Sequence, residues 1–225
     1  MQRGNRGAGP LSSAGVTDDP TSATAGRVVV LLSGTGTLFQ ALLDAARRAA
    51  PPWPRVVAAI SDRADAEGLQ RARAAGVPTA VVAPADFPDR ATWDAAVARA
   101  VDVFSPDLVV LAGFMRVLGA PFLARYGGRT ITAHPALLPA FPGAHAVREA
   151  LDYGVQVTGC SLILVDAGTD TGPVVAQRAV EVRDGDDEAS LHERIKMVER
   201  EMLVDVVTRM LSRGWSVEGR KVRLG

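Results

Sequence analysis

The first half of the chain alternates short apolar runs with segments whose apolar residues recur at helical spacing. The apolar runs are residues 27–32, 56–60, 79–82 and 108–111, and the helical segments are residues 37–49, 65–75 and 90–104. Runs without alternating polar positions are typical of strands buried on both faces, which occur in parallel sheets. Strands that alternate with helices form such a sheet with helices on both faces. The pattern therefore predicts a doubly wound α/β fold with a mostly parallel sheet.

A stretch with two of the three histidines, residues 129–145, reads R-T-I-T-A-H-P-A-L-L-P-A-F-P-G-A-H. Its β-branched residues 130–132 predict a strand. His134 stands at the end of that strand, because the following Pro135 disfavours helical backbone before it. The remaining prolines and a glycine predict a stiff, irregular loop. A titratable ring held rigidly at a strand end suits general acid–base chemistry.

A glycine-rich turn, S-G-T-G-T at residues 33–37, joins the first predicted strand to the first predicted helix. Exposed backbone N–H groups at such a turn suit a phosphate. The turn is no P-loop, since no Gly-Lys-Ser/Thr follows, and Phe39 occupies the third glycine position of the dinucleotide fingerprint. Phosphate binding and a purely structural turn both remain open. Sites in parallel sheets lie beyond the carboxyl ends of strands, so Gly36, Met115 and His134 are expected to share one cleft.

The charge balance and the cysteine content exclude several classes of protein. Lys+Arg and Asp+Glu both number 25 among 225 residues, which argues against nucleic acid or an anionic membrane as the main partner. No apolar run approaches the ~20 residues that span a bilayer. The single cysteine, Cys160, is expected to pack in a strand and suits a reducing cytoplasm. Residues 1–25 predict a disordered tail without the apolar core of a signal peptide.

These pieces together resemble one family, the phosphoribosylglycinamide formyltransferases, which are the folate-dependent transformylases of purine synthesis. The resemblance covers about residues 27–213. It is carried by S-G-T-G-T (33–37), F-P-D-R (87–90), P-D-L-V-V-L-A-G-F-M-R-V-L (106–118), H-P-A-L-L-P-A-F-P-G-A-H (134–145), D-A-G-T-D-T-G-P (166–173) and the last helix around residues 196–199. The order and spacing of all these motifs make the resemblance specific.

The resemblance implies a single formyltransferase domain over residues 26–213, between the tail 1–25 and a C-terminal tail 214–225. It places further strands at about residues 157–164 and 174–181 and a long helix at about residues 187–211. The implied activity is transfer of the formyl group of 10-formyltetrahydrofolate, as co-substrate, to the amine of 5-phosphoribosylglycinamide. No metal, nucleic acid or membrane is implied, and the expected protein is a cytoplasmic monomer or homodimer.

Roles for individual residues follow from the same resemblance. His134 is similar to the catalytic histidine, Asp170 to the carboxylate that tunes it, and His145 to a residue that supports the loop. The amine substrate is expected at Gly36, Thr37, Leu38, Phe39, Gln40, Lys196, Met197, Val198 and Glu199, with Glu199 near the ribose hydroxyls. The folate is expected at Arg90, Met115, Arg116, Val117, Leu118, Thr132, Asp166, Ala167, Gly168, Thr169 and Asp170.

Two positions near this site depart from the family pattern. The family has Asn-x-His-Pro where this chain has Thr132-Ala133-His134-Pro135, and many members have a histidine where this chain has Ile163. The family's asparagine donates to the formyl oxygen, and losing one such donor typically costs roughly 10²–10³ in rate. Thr132 is therefore a doubtful third catalytic residue. Three interpretations stay open: a working transformylase, a formyltransferase for another amine, and a folate-binding protein with weak catalysis.

Other classes of function also compete. His134, His145 and Asp170 have the composition of a two-histidine, one-carboxylate metal site, which would indicate a hydrolase or an oxygenase. The turn around Gly34 and Gly36 would alternatively serve a nucleotide-binding module, although the third glycine is missing. His192 lies in a charged helical segment and is expected on a solvated face.

Overall fold

A computed structural model describes residues 26–49 and 53–225 of the chain. The predicted N-terminal tail, residues 1–25, lies outside the described residues. The rest of the chain folds around one large sheet, which confirms the predicted α/β class.

Seven strands form this sheet in the order β3-β2-β1-β4-β5-β6-β7. The strands are β1 (Arg27–Leu32), β2 (Arg55–Ser61), β3 (Thr79–Val81), β4 (Leu108–Leu111), β5 (Thr130–His134), β6 (Val157–Leu164) and β7 (Val174–Glu181). Strands β1 to β5 pair in parallel. Strand β6 is antiparallel to both β5 and β7. The sheet is therefore mostly parallel, with an antiparallel edge at β6 and β7.

Helices cover both faces of the sheet. They are α1 (Thr37–Arg48), α2 (Glu67–Ala74), α3 (Arg90–Asp102), α4 (Ala120–Tyr126), α5 (Ala146–Tyr153) and α6 (Glu188–Arg213), with a short 3₁₀ turn at Pro84–Asp86. Helices α1, α2, α5 and α6 supply side chains to one apolar core. Helices α3 and α4 supply side chains to the other.

Strand β1 shows why its sequence is apolar throughout. Alternate residues of a strand point to opposite faces of the sheet. Val28, Val30 and Leu32 enter the core beneath α1 and α6, whereas Val29 and Leu31 enter the core beneath α3. A polar residue at any of these positions would lie in one core or the other without water, so the strand tolerates no polar alternation.

The C-terminal segment 214–225, predicted as a tail, instead forms a hairpin of β8 (Trp215–Glu218) and β9 (Lys221–Leu224). Trp215, Val222 and Leu224 pack against the core beneath α6. The Trp215 indole nitrogen also donates to the Gly128 carbonyl at 3.0 Å. In both strands apolar residues alternate with polar or charged ones, which is the pattern of a half-buried ribbon, so the tail prediction was wrong here.

Candidate active site

A cavity of about 600 Å³ opens at the carboxyl ends of β1, β4 and β5. Its wall is formed by the turn after β1, the segment after β4, the end of β5, the β6–β7 loop and α6. Gly36, Met115 and His134 all line it. The three predicted strand ends therefore do converge on one cleft.

His134 is the last residue of β5 and is only 4% exposed. Its Nε2 donates to the carbonyl of Phe141 at 2.7 Å, and its Nδ1 lies 3.3 Å from Oδ2 of Asp170. A carbonyl and a carboxylate both only accept hydrogen bonds. The geometry therefore requires the proton of the hydrogen bond to Phe141 on Nε2, and it places the Asp170 carboxylate beside the other ring nitrogen.

Asp170 reaches His134 because the β6–β7 loop folds back over the end of β5. Its Oδ2 also accepts from the backbone N–H of Gly143 at 2.8 Å, so one oxygen connects the loop to the histidine and to the segment after it. Asp170 has φ of 56°, in the left-handed region that few non-glycine residues adopt. Backbone in such a conformation persists where the surrounding contacts impose it, and it clusters at functional sites.

Polar residues that sequence reasoning did not single out hold the loop after His134. Ser161 Oγ donates to the Ala136 carbonyl at 2.7 Å and accepts from the Leu138 N–H at 3.0 Å. Gln177 Nε2 donates to the same hydroxyl at 2.9 Å and to the Leu138 carbonyl at 2.8 Å. Ser161 is a fully buried polar residue directly before the apolar run Leu162–Leu164 of its strand, which is the signal that could have found it.

The glycine turn after β1 lines the cavity through residues 34–38. Phe39 and Gln40, also predicted at the substrate, do not line it. Phe39 is fully buried in the core, and Gln40 points to Asp44, to which its Nε2 donates at 2.9 Å. Helix α1 begins here, so positions 39 and 40 already belong to its inner and outer faces.

Helix α6 presents His192, Lys196 and Glu199 to the cavity. These residues are spaced i, i+4 and i+7, so they share one helical face. Of the other residues predicted there, Met197 is 56% exposed and does not line this cavity, and Val198 packs against the core. The expectation that His192 lies on a solvated face was wrong, although its spacing from Lys196 was a signal for the cavity.

Burial shifts the ionisation of two of these α6 groups. Glu199 is 6% exposed, and burial raises its pKa from 4.5 to about 7 even though Lys196 and Arg200 act in the opposite direction. Burial, and then the charge of Lys196, lower the pKa of His192 below its ordinary value. In both groups burial therefore disfavours the charged form of the side chain.

The segment after β4 supplies residues 115–118 to another part of the cavity wall. The Met115 N–H donates to the Ser33 hydroxyl at 2.9 Å, which ties this segment to the glycine turn. Arg116 Nε donates to Oδ2 of Asp62 at 2.8 Å, and Asp62 is 3% exposed at the end of β2. The other Asp62 oxygen has no hydrogen-bond partner among the described residues. Arg116 is thus held by a buried carboxylate that sequence reasoning missed.

Besides Phe39, Gln40, Met197 and Val198, three more predicted site residues lie outside this cavity lining. Arg90 instead pairs with the buried Asp94 at 3.3 Å and stacks 4.7 Å over the ring of Trp93. His145 is exposed at the start of α5, and Ala167 does not line the cavity although Asp166, Gly168, Thr169 and Asp170 do. The structure therefore brings together most, but not all, of the residues that the resemblance selected.

The two departures from the family pattern are neighbours in the fold. Thr132 of β5 and Ile163 of β6 are directly opposite each other across the antiparallel pair, and both line the cavity. Residues opposite each other in this way interact through their side chains. The wall beside His134 is consequently less polar here than the family pattern implies.

Several alternative sites find no support in the geometry. Among residues 26–49 and 53–225, no three His, Cys, Asp or Glu side chains come together as metal ligands. Cys160 packs in β6, and burial raises the pKa of its thiol to about 12. The thiol is therefore an inert group. None of the helices in the described part of the chain is long and apolar enough to cross a membrane.

Residues 26–207 match the formyl transferase family, and the chain belongs to that family. Its similar members include proteins named phosphoribosylglycinamide formyltransferase. Phosphoribosylglycinamide formyltransferase from Mycobacterium tuberculosis (strain ATCC 25618 / H37Rv) is 54% identical over 92% of this chain and 94% of its own length. The protein of that name from Escherichia coli (strain K12) is 38% identical over 86% of this chain and 88% of its own length. The crystal structure of glycinamide ribonucleotide transformylase 1 from Symbiobacterium toebii, 43% identical, superposes with a TM-score of 0.86 over 90% of this chain and 95% of that one.

Proposed function

We propose that the chain transfers the formyl group of 10-formyltetrahydrofolate to the amine of 5-phosphoribosylglycinamide, with His134 and Asp170 as its catalytic pair. The observation that carries the catalytic assignment is the buried His134 ring between the Asp170 carboxylate and the Phe141 carbonyl, in the cavity wall. The family and the names of its similar members support the activity itself.

The chemistry needs no covalent enzyme intermediate. The amine nitrogen forms a bond to the formyl carbon, and the electron pair of the C=O π bond moves to oxygen as a tetrahedral intermediate forms. That intermediate collapses when the bond from carbon to the folate nitrogen breaks, and the leaving nitrogen takes a proton while the new amide loses one. A positioned donor at the developing oxyanion is usually the largest catalytic contribution.

His134 supplies that donor. Its Nε2 proton is donated to the Phe141 carbonyl, and a formyl oxygen can replace that carbonyl as the acceptor. The Asp170 carboxylate beside Nδ1 stabilises the positive charge of an imidazolium. Asp170 thereby keeps the ring oriented and ready to donate.

The two substrates occupy different parts of the cavity. The turn at residues 34–38 and the cavity-facing residues Lys196 and Glu199 suit the phosphate and ribose of the amine substrate. The wall at residues 115–118 and the loop at residues 166–170 suit the folate. His134 lies in the cavity wall with both sets of residues, as a direct transfer between the two substrates requires.

A second candidate is formyl transfer to a different amine, and the Thr132–Ile163 pair is the observation that favours it. Both positions of this cross-strand pair differ from the family pattern and both face the cavity. A changed wall beside the histidine would alter which donor assists the formyl oxygen and which acceptor fits.

Steady-state formyl transfer to 5-phosphoribosylglycinamide, compared between the wild type and Thr132→Asn, tests the activity. We expect the wild type to turn over at an ordinary enzymatic rate of ~1–10³ s⁻¹, because a threonine hydroxyl acting through water replaces the amide. A silent wild type together with an active Thr132→Asn variant would refute the proposed acceptor and would favour the second candidate. The oligomeric state, monomer or homodimer, and a cytoplasmic location stay predictions.

A further inference from the structure

We propose that Arg71 of α2 is a positioning residue for the phosphate turn, defined here as residues 33–37. Arg71 lies behind this turn and does not line the main cavity. Its role is to hold the turn's carbonyl groups away from the cavity so that the N–H groups face a phosphate. The proposal rests on the proposed function, which places the substrate phosphate at this turn.

The Arg71 guanidinium makes three hydrogen bonds that join three parts of the chain. Its Nε donates to the Thr35 carbonyl of the turn at 2.8 Å. Its Nη1 donates to Oε1 of Gln40 in α1 at 3.4 Å, and its Nη2 donates to Oε1 of Glu67 in α2 at 2.7 Å. The planar guanidinium group therefore fixes the turn relative to both helices. The single ammonium group of a lysine cannot reproduce these three hydrogen bonds.

Helix α2 holds the turn through its backbone as well. The Gly68 N–H donates to the Gly34 carbonyl at 3.0 Å. Gly36 has φ of 70°, and a Cβ at this position would lie 2.8 Å from the Gly68 Cα. The turn and α2 thus approach too closely for a side chain at Gly36. A Cβ at Gly68 would meet the Leu32 side chain at 2.7 Å and the Gly36 Cα at 3.3 Å, so this position is crowded as well.

These contacts determine where the N–H groups of the turn point. The carbonyls of Gly34 and Thr35 both face α2, and in a planar trans peptide the N–H of the next residue points the opposite way. The N–H groups of Thr35 and Gly36 therefore point away from α2. They make no hydrogen bond to another described residue. Successive N–H groups left open in this manner form a concave site that binds anions.

The experiment compares Arg71→Gln and Arg71→Lys with Arg73→Gln, a matched control on the exposed side of the same helix. The readouts are KM for 5-phosphoribosylglycinamide, KM for 10-formyltetrahydrofolate, kcat, and the inhibition constant of inorganic phosphate. We expect Arg71→Gln to raise the first KM and the phosphate inhibition constant together by about tenfold, because hydrogen bonds to a charged ligand are lost when the N–H groups turn away. The folate KM and kcat should stay within about twofold.

Arg71→Lys separates the contribution of the three guanidinium hydrogen bonds from the contribution of the positive charge. We expect this variant to show most of the Arg71→Gln effect, because a lysine keeps the charge but not the three-way geometry. An unchanged substrate KM in both variants would overturn the proposal, and so would an equal loss of folate affinity, kcat and thermal stability. If inorganic phosphate fails to compete with the amine substrate in the wild type, the phosphate placement in the proposed function fails instead.

Discussion

Replacing Glu199 with glutamine should stabilise the protein above neutral pH, although Glu199 faces the cavity and is proposed to bind substrate. The carboxyl group is 6% exposed, and burial disfavours its charged form. Ionisation therefore costs free energy in the folded state that it does not cost in the unfolded chain. Glutamine has nearly the same shape and carries no charge, so it removes this cost.

The size of the effect follows from the pKa of Glu199. Its value is about 7 in the folded protein against 4.5 for the ordinary group. Between these values the folded state binds more protons than the unfolded state, so the free energy of unfolding falls as pH rises. Each pH unit in this window lowers the free energy of unfolding by about 1.4 kcal/mol. The full loss is about 3 kcal/mol and is reached once the pH exceeds the pKa of the folded state. Below the unfolded pKa the wild type and Glu199→Gln should be equally stable.

Urea unfolding of the wild type and Glu199→Gln between pH 5 and pH 8 measures this difference. Glu201→Gln is the matched control, because Glu201 is exposed on the same helix. We expect the stability advantage of Glu199→Gln to grow through this range with an unchanged dependence on urea. An advantage that does not change with pH, or a variant that is less stable at pH 8, would refute the assignment of Glu199 as a buried carboxyl group with a raised pKa.

Two further perturbations probe other parts of the structure. Asp62→Asn should raise KM for 10-formyltetrahydrofolate by roughly tenfold with little change in kcat, because Arg116 loses its buried carboxylate partner. The control is Asp65→Asn, which removes an exposed ion pair and should leave this KM unchanged. An unaltered folate KM would show that Arg116 needs no support. Trp215→Ala should lower the free energy of unfolding by about 1–3 kcal/mol, because a half-buried indole and its hydrogen bond are removed, while turnover stays unchanged. Stability equal to that of the wild type would mean that the hairpin does not contribute to the core.

The repeating strands and helices could be predicted from the sequence because the strands are buried along their whole length and therefore appear as continuous apolar runs. Strand β4 lies at the predicted residues 108–111, and α1 begins at the predicted Thr37. Helices α4 and α5 could not be predicted in the same way. They have 7 and 8 residues, so a helical spacing of apolar residues is hard to recognise in them. Helix α2 also has 8 residues, and it was recognised as part of the repeating alternation of apolar runs and helical segments.

The site was harder to predict than the fold, since its residues meet only through tertiary contacts. Asp170 and His134 lie far apart in the sequence, and only the family resemblance connected them. Arg90 shows the limit of that resemblance, because here it stacks on Trp93 and pairs with Asp94 outside the cavity. Asp62 and Arg71 were not predicted as site residues because each acts through another residue. Charged residues near the ends of strands and helices are usually exposed, so their presence in the sequence does not indicate a role at a site.

The most direct test of the proposed chemistry is formyl transfer by His134→Ala, measured together with folate binding. We expect turnover to fall by about 10²–10⁴-fold while the affinity for folate changes little, because the ring supplies a proton donor rather than most of the folate contacts. His145→Ala is the matched control, since His145 is exposed outside the cavity, and it should keep most of the activity. Turnover by His134→Ala at the wild-type rate would contradict the assignment of His134 as the catalytic donor.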